Sequence, residues 1–305
     1  MDSPIFIGGL ERSGKSYLRM MLGGHPRLFF SRRTNLWTRY YNRYDDLNER
    51  ENLERCLGDL LKSKHTRALI ADPFELRQEL VTGTVSYGRL FALIHEGHAR
   101  KIGKPRWGDQ TEFLERCADV IFAAFPHARF IQLLRDPRDR YEAMLHKSGR
   151  RGGPGVAVTR WRNSAELAIR NEREYPGRYK VVRYEDMVEE PELTLKGVCD
   201  FLGEEYFPEM LRMQGEARFA DLNVQGDEEA TGPLTTKYIG SFRSGLSGRE
   251  TASIQRHAGQ LMTRFGYSSE PVRFSWSESL RFHLLDETVH SLHRIGWQLR
   301  TRGRA

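Results

Sequence analysis

Cysteine is scarce, with Cys56, Cys117 and Cys199 the only three in 305 residues. They are odd in number, far apart and in none of the short metal or redox spacings. A disulfide framework and a thiolate zinc site are therefore not expected, and a reducing, cytoplasmic setting is. Long apolar runs are missing too. The longest, Val120-Ile121-Phe122-Ala123-Ala124-Phe125, falls far short of the roughly 20 residues of a membrane-spanning helix. The first residues pass from Pro4-Ile5-Phe6-Ile7 straight into glycines and charge, so no targeting segment is expected. No repeat, low-complexity tract or linker divides the chain. What is present suits a folded protein with a sizeable core: 39% hydrophobic and 29% charged residues. Lys and Arg number 48 against 41 Asp and Glu, a net +7 that points to an anionic partner without naming it.

Hydrophobic patterning predicts a strand at 4–8, a Gly-rich turn at 8–14 and a helix at 15–24 with Leu18, Met21 and Leu22 on one side. Helical spacing runs from Phe113 to Phe125 and breaks at Pro126. A buried strand is predicted at 130–134, ending at Arg135, and another at 180–184. A helix at 192–202 closes on Gly203. This alternation predicts an α/β protein with a central parallel sheet flanked by helices, and the Gly-rich turn between the first strand and helix makes it a P-loop nucleotide-binding fold.

Gly9-Leu10-Glu11-Arg12-Ser13-Gly14-Lys15-Ser16 fits the phosphate-loop pattern G-x-x-x-x-G-K-[ST], and it lies between a predicted strand and a predicted helix. Glycines let backbone N–H groups close on phosphate oxygens. The helix N-terminus adds partial positive charge, and Arg12 and Lys15 add full charges. The plain alternative is a tight turn that needs small residues. As an enzyme signature the loop first suggests an ATP–magnesium kinase or NTPase with Ser16 on the metal. The strand ending in Arg135-Asp136-Pro137-Arg138-Asp139-Arg140 argues for another ligand, because guanidinium groups suit a second phosphate better than a magnesium ion.

These residues resemble the sulfotransferases that use 3′-phosphoadenosine 5′-phosphosulfate (PAPS), bacterial ones and the tyrosylprotein sulfotransferases in particular. The resemblance rests on the loop at 4–14, Gly24-His25-Pro26, Trp107-Gly108-Asp109-Gln110-Thr111, Phe125-Pro126-His127-Ala128, Leu134-Arg135-Asp136-Pro137, Arg183-Tyr184-Glu185-Asp186 and Lys237-Tyr238-Ile239-Gly240. It implies that Arg12, Ser13, Gly14, Lys15 and Ser16 hold the 5′-phosphosulfate and that Tyr17 lies near the adenine. Arg135 would hold the 3′-phosphate, with Tyr184 and Lys237 near the nucleotide. PAPS is then the co-substrate, no metal is required, and nucleic acid is not a partner. Three departures stand out. The family's usual 3′-phosphate serine is Ala143 here, which leaves Arg138 or Arg140 to replace it. A usual lysine is Gln110, and the glutamate of the tyrosylprotein branch is Arg33.

Transfer to an acceptor hydroxyl needs in-line geometry, cations on the transferring oxygens and a base for the acceptor proton. Arg12 is the candidate for the cation. Glu112, then Asp109, are candidates for the base, with helix capping ahead of 113–125 the plain alternative for both. Cations and aromatics interleave from Ser31 to Tyr44, which suggests an acceptor wall, with ordinary helix packing as the alternative. The pairs His95/His98 and His290/His293 read as solvated helix faces. The stretch 146–155 reads as a lid or a surface loop. Residues 1–270 are expected to form the catalytic domain. A basic amphipathic helix, 271–305, is left to pack on it, to dimerise or to meet an anionic membrane surface.

Overall fold

The computed structural model describes residues 3–148, 153–213 and 234–282, with scattered positions up to 295. The chain forms two compact units, Met1–Leu133 with Asn171–Leu234, and Leu134–Arg170 with Thr235–Ala305. The extension expected beyond 270 falls within the second unit. Most of its residues after 282, His290 and His293 among them, lie outside the described set, as do 149–152 of the expected loop.

The first unit is built on five strands: β1 (Ile5–Gly9), β2 (Leu28–Arg32), β3 (Arg106–Gln110), β4 (Arg129–Leu134) and β5 (Tyr179–Arg183). They lie in the order β2-β3-β1-β4-β5, and β1 is parallel to both neighbours, with Ile5 opposite Gly108 and Arg129. Both flanks and both faces of β1 are covered, so its side chains are apolar or absent and every residue is buried. The expected strands appear within one residue of their predicted limits. Tyr184, expected to end β5, instead opens the helix Tyr184–Glu189. Helix α1 (Lys15–Gly23) buries Leu18, Met21 and Leu22 as expected. The stretch predicted as one helix from 113 is in fact a 3-10 turn, Leu114–Cys117, followed by the helix Ala118–Ala124. Phe113, at the head of the stretch, adopts the left-handed region, φ 61°, so no helix begins there.

The core of this unit is aromatic. Phe6 meets Trp107 edge-on at 5.8 Å and Trp37 at 6.3 Å, and Phe130 stacks on Tyr179 at 4.7 Å. Trp37, Tyr40 and Tyr44 belong to that core. Packing, the plain alternative, therefore accounts for most of the aromatics in 31–46, while Tyr41 is 37% exposed. His95 and His98 are also buried, which corrects the solvated-face reading. Helical spacing gives the pair one face without telling which face turns inward.

The second unit contains the helix Pro137–Ser148, most of Gly153–Glu174, and Gly248–Arg264. Trp161 anchors it, packing edge-on against Phe265 and Tyr267 and donating its indole N–H to the Arg135 carbonyl at 2.8 Å. No helix among the described residues is long and apolar enough to cross a membrane.

Candidate nucleotide site

In the first unit, the connections from β1 and β4 leave toward opposite edges of the sheet. Ligands of open α/β sheets bind beyond the carboxyl ends of strands at such a switch. The loop 9–14 lies there. Gly9 sits so close to β4 that a Cβ would meet the Leu133 carbonyl oxygen at 2.4 Å. Its N–H donates to Glu115 Oε2 at 2.8 Å, and its carbonyl accepts from Phe113 N–H at 3.2 Å. Glu115 is 1% exposed and is itself fixed by Asn171 on its carbonyl. The start of the phosphate loop is thus held by a buried carboxylate 106 residues away, a contact with no local sequence signal.

The loop then closes on itself. The Ser13 hydroxyl donates to the Leu10 carbonyl at 2.7 Å, and the Lys15 ammonium donates to the same oxygen. Arg12 adopts φ 64° and Gly14, the N-cap of α1, φ 90°. A side chain at 14 would collide with the Tyr184 ring at 2.5 Å, so Tyr184 is packed close against the loop. The structure brings together Arg12, Ser13, Gly14, Lys15, Ser16, Tyr17 and Tyr184, with Ser16 and Tyr17 in the first turn of α1.

Asp109 lies on β3 and is wholly buried. Thr34 Oγ1 donates to its carboxylate at 2.8 Å and Ser31 Oγ at 2.9 Å. The same serine oxygen lies 2.9 Å from His95 Nε2. His95 Nδ1 faces the Phe91 carbonyl at 2.7 Å and must carry the proton there. One hydroxyl proton of Ser31 therefore stands between two acceptors whenever His95 is neutral, and burial pushes the His95 pKa down. This network ties the corner Arg33-Thr34-Asn35, left-handed at Arg33 and Asn35, to the end of β3, where Arg33 N–H also donates to the Gln110 carbonyl at 2.7 Å. Asp109 is on a strand and Glu112, half-buried, lies in the turn after it. The following helix is capped at Cys117, so neither carboxylate is its cap.

In the second unit Arg135, 6% exposed, donates to the Tyr238 carbonyl at 2.8 Å, which brings it to the turn Thr236–Tyr238 and its exposed Lys237. Arg138 is held by Asp136 through two bonds, 3.0 and 2.6 Å, by Gln255 at 2.6 Å, and lies over Phe242 at 4.1 Å. Arg140 is buried beside it in the chain. Asp139 was not singled out by the sequence, yet it accepts the N–H groups of Gly240 and Phe242. Burial raises its pKa, against the pull of those two donors.

A model of the sulfotransferase family matches residues 4–209. Protein-tyrosine sulfotransferase A of Caenorhabditis elegans is 24% identical over 208 residues. The match covers 65% of this chain and 49% of the worm protein, so the chain spans about half the length of that relative. Among solved structures, the sulfotransferase domain of the Synechococcus PCC 7002 olefin synthase aligns with a TM-score of 0.63 at 23% identity, covering 88% of this chain and 96% of that domain. The sulfotransferase domain from the curacin biosynthetic pathway aligns with a TM-score of 0.52 at 21% identity, over 88% and 99% of the two chains. What these two share with the chain is the fold.

Proposed function

Because the chain belongs to the sulfotransferase family, we propose that it moves the sulfuryl group of PAPS to a hydroxyl or similar acceptor on a small molecule, lipid or glycan. The observation that carries this reading is the cationic phosphate loop, Arg12–Ser16, beyond the central strand, with Tyr184 laid against Gly14. The donor set fits a phosphosulfate: N–H groups at the start of a nine-residue helix, two hydroxyls and two cations. PAPS, when bound, supplies the activated sulfuryl group and its leaving group.

The chain's own residues bind and orient. Ser13, Gly14, Lys15 and Ser16 hold the 5′ end, and Tyr17 and Tyr184 flank the nucleoside. Arg135 and Lys237 hold the 3′-phosphate. Arg138, engaged with Asp136, supports that corner from behind and keeps it cationic together with Arg140. Arg12 is a fixed cation for charge that develops on the transferring oxygens. Glu112 takes the acceptor proton, while Asp109, bonded inside the sheet, steadies the neighbouring corner. The worm relative's name would make the acceptor a tyrosine hydroxyl. Arg33, where that branch carries glutamate, favours the other acceptor classes.

Calorimetric titration with 3′-phosphoadenosine 5′-phosphate (PAP) in magnesium-free buffer tests the reading. Binding is expected, and R135A should weaken it at least about tenfold, since each charge-assisted contact contributes about 1.5–3 kcal/mol. Magnesium-dependent ATP binding in its place would favour a P-loop kinase. PAP binding with no transfer from labelled PAPS to any component of an extract would favour a binding protein without catalysis. A labelled product identifies the acceptor by its mass.

A further inference from the structure

The segment that carries Lys237 is fastened more firmly than an exposed turn requires. Asp139 is 1% exposed and lies four residues beyond Arg135, in the first turn of the helix Pro137–Ser148. One carboxylate oxygen accepts the Gly240 N–H at 2.7 Å. The other accepts the Phe242 N–H at 2.9 Å and lies 3.4 Å from the Ser241 hydroxyl. Arg135 adds its bond to the Tyr238 carbonyl, and Arg138 covers the Phe242 ring. Residues 238, 240 and 242 are therefore each tied to the corner 135–139 across more than a hundred residues of chain. A buried carboxylate is unfavourable unless fully hydrogen-bonded, and this one is committed to the backbone of a single short segment.

Resting on the sulfotransfer reading, we infer that Asp139 is a positioning residue for nucleotide binding: its carboxylate sets the 236–242 segment against Arg135 and thereby places the Lys237 ammonium for the 3′-phosphate. The carboxylate acts through the backbone it holds. Its charge is met by N–H dipoles and by Arg135, so the corner stays receptive to an anion. Asparagine has the same shape but turns an NH2 group toward one of the two N–H donors, and that fastening is lost.

The test is PAP calorimetry on the full chain for wild type, D139N, K237A and the double variant, with thermal melts and hydrogen exchange of the Gly240 and Phe242 amides. D139N should melt cooperatively, exchange those two amides faster and bind PAP about tenfold more weakly, the effect of one hydrogen bond to a charged group. K237A should cost about tenfold in the wild-type background and no more than about twofold in D139N, because the lysine is already misplaced. A folded D139N that binds PAP like wild type, or strictly additive losses, overturns the inference alone. A wild-type chain that does not bind PAP overturns the sulfotransfer reading and this inference with it. Should D139N fail to fold, T235V carries the test, since Thr235 caps the exposed turn by accepting Lys237 N–H at 3.2 Å. A severalfold loss of PAP affinity in T235V supports the placement of Lys237, and unchanged affinity overturns it.

Discussion

Gly14 shows how much of the site one residue fixes. It holds φ 90°, and a methyl group there would press into Tyr184. G14A should bind PAP at least about tenfold more weakly and lose roughly 1–3 kcal/mol of stability from the strained backbone. Calorimetry and urea unfolding measure the two effects; unchanged PAP affinity would show that the loop tolerates a side chain. This residue was legible in the sequence because the whole loop fits into eight consecutive positions flanked by a strand and a helix. Glu115 beneath Gly9, the Asp109–Ser31–His95 chain and the hold of Asp139 on 240–242 were not. Each joins residues tens to more than a hundred positions apart, and no local pattern encodes such a meeting.

Elements were legible where burial imposes a repeat. β1 and β4 are covered on both faces and read as short apolar runs, and the helix Pro191–Leu202 announces itself by its proline and by Gly203. The failures have equally local causes. Phe113, at the head of a stretch with helical spacing, turns left-handed and keeps a helix from beginning there, and a cap is firmest where side chains and backbone bond reciprocally. Ser247 and Glu250 form such a pair, a capping box at the start of Gly248–Arg264. S247A should cost about 1 kcal/mol and lower the melting temperature by roughly 2–4 °C. An unchanged melt would mean that tertiary packing alone defines that helix start.

For the molecule as a whole, buried histidines set a response to acid. Burial lowers the His98 pKa from its ordinary 6.5 to about 4. The unfolded chain takes up this proton as the pH falls through 6.5, whereas the folded chain resists until about pH 4. The stability lost to His98 therefore accrues between those two values, amounting to roughly 3 kcal/mol, and none is lost above them. H98Q should flatten the dependence of unfolding free energy between pH 7 and pH 4.5, measured with urea; an unaltered slope would assign the effect to other groups. The strand order carries a further consequence, for synthesis on the ribosome. β1 has partners only in β3 and β4, about a hundred or more residues downstream. At roughly 5–20 residues per second, the Ile5-Phe6-Ile7 run must wait on the order of ten seconds for its first neighbour, β3. Throughout that interval it is an unpaired apolar strand, and thus a natural substrate for the chaperones that meet nascent chains.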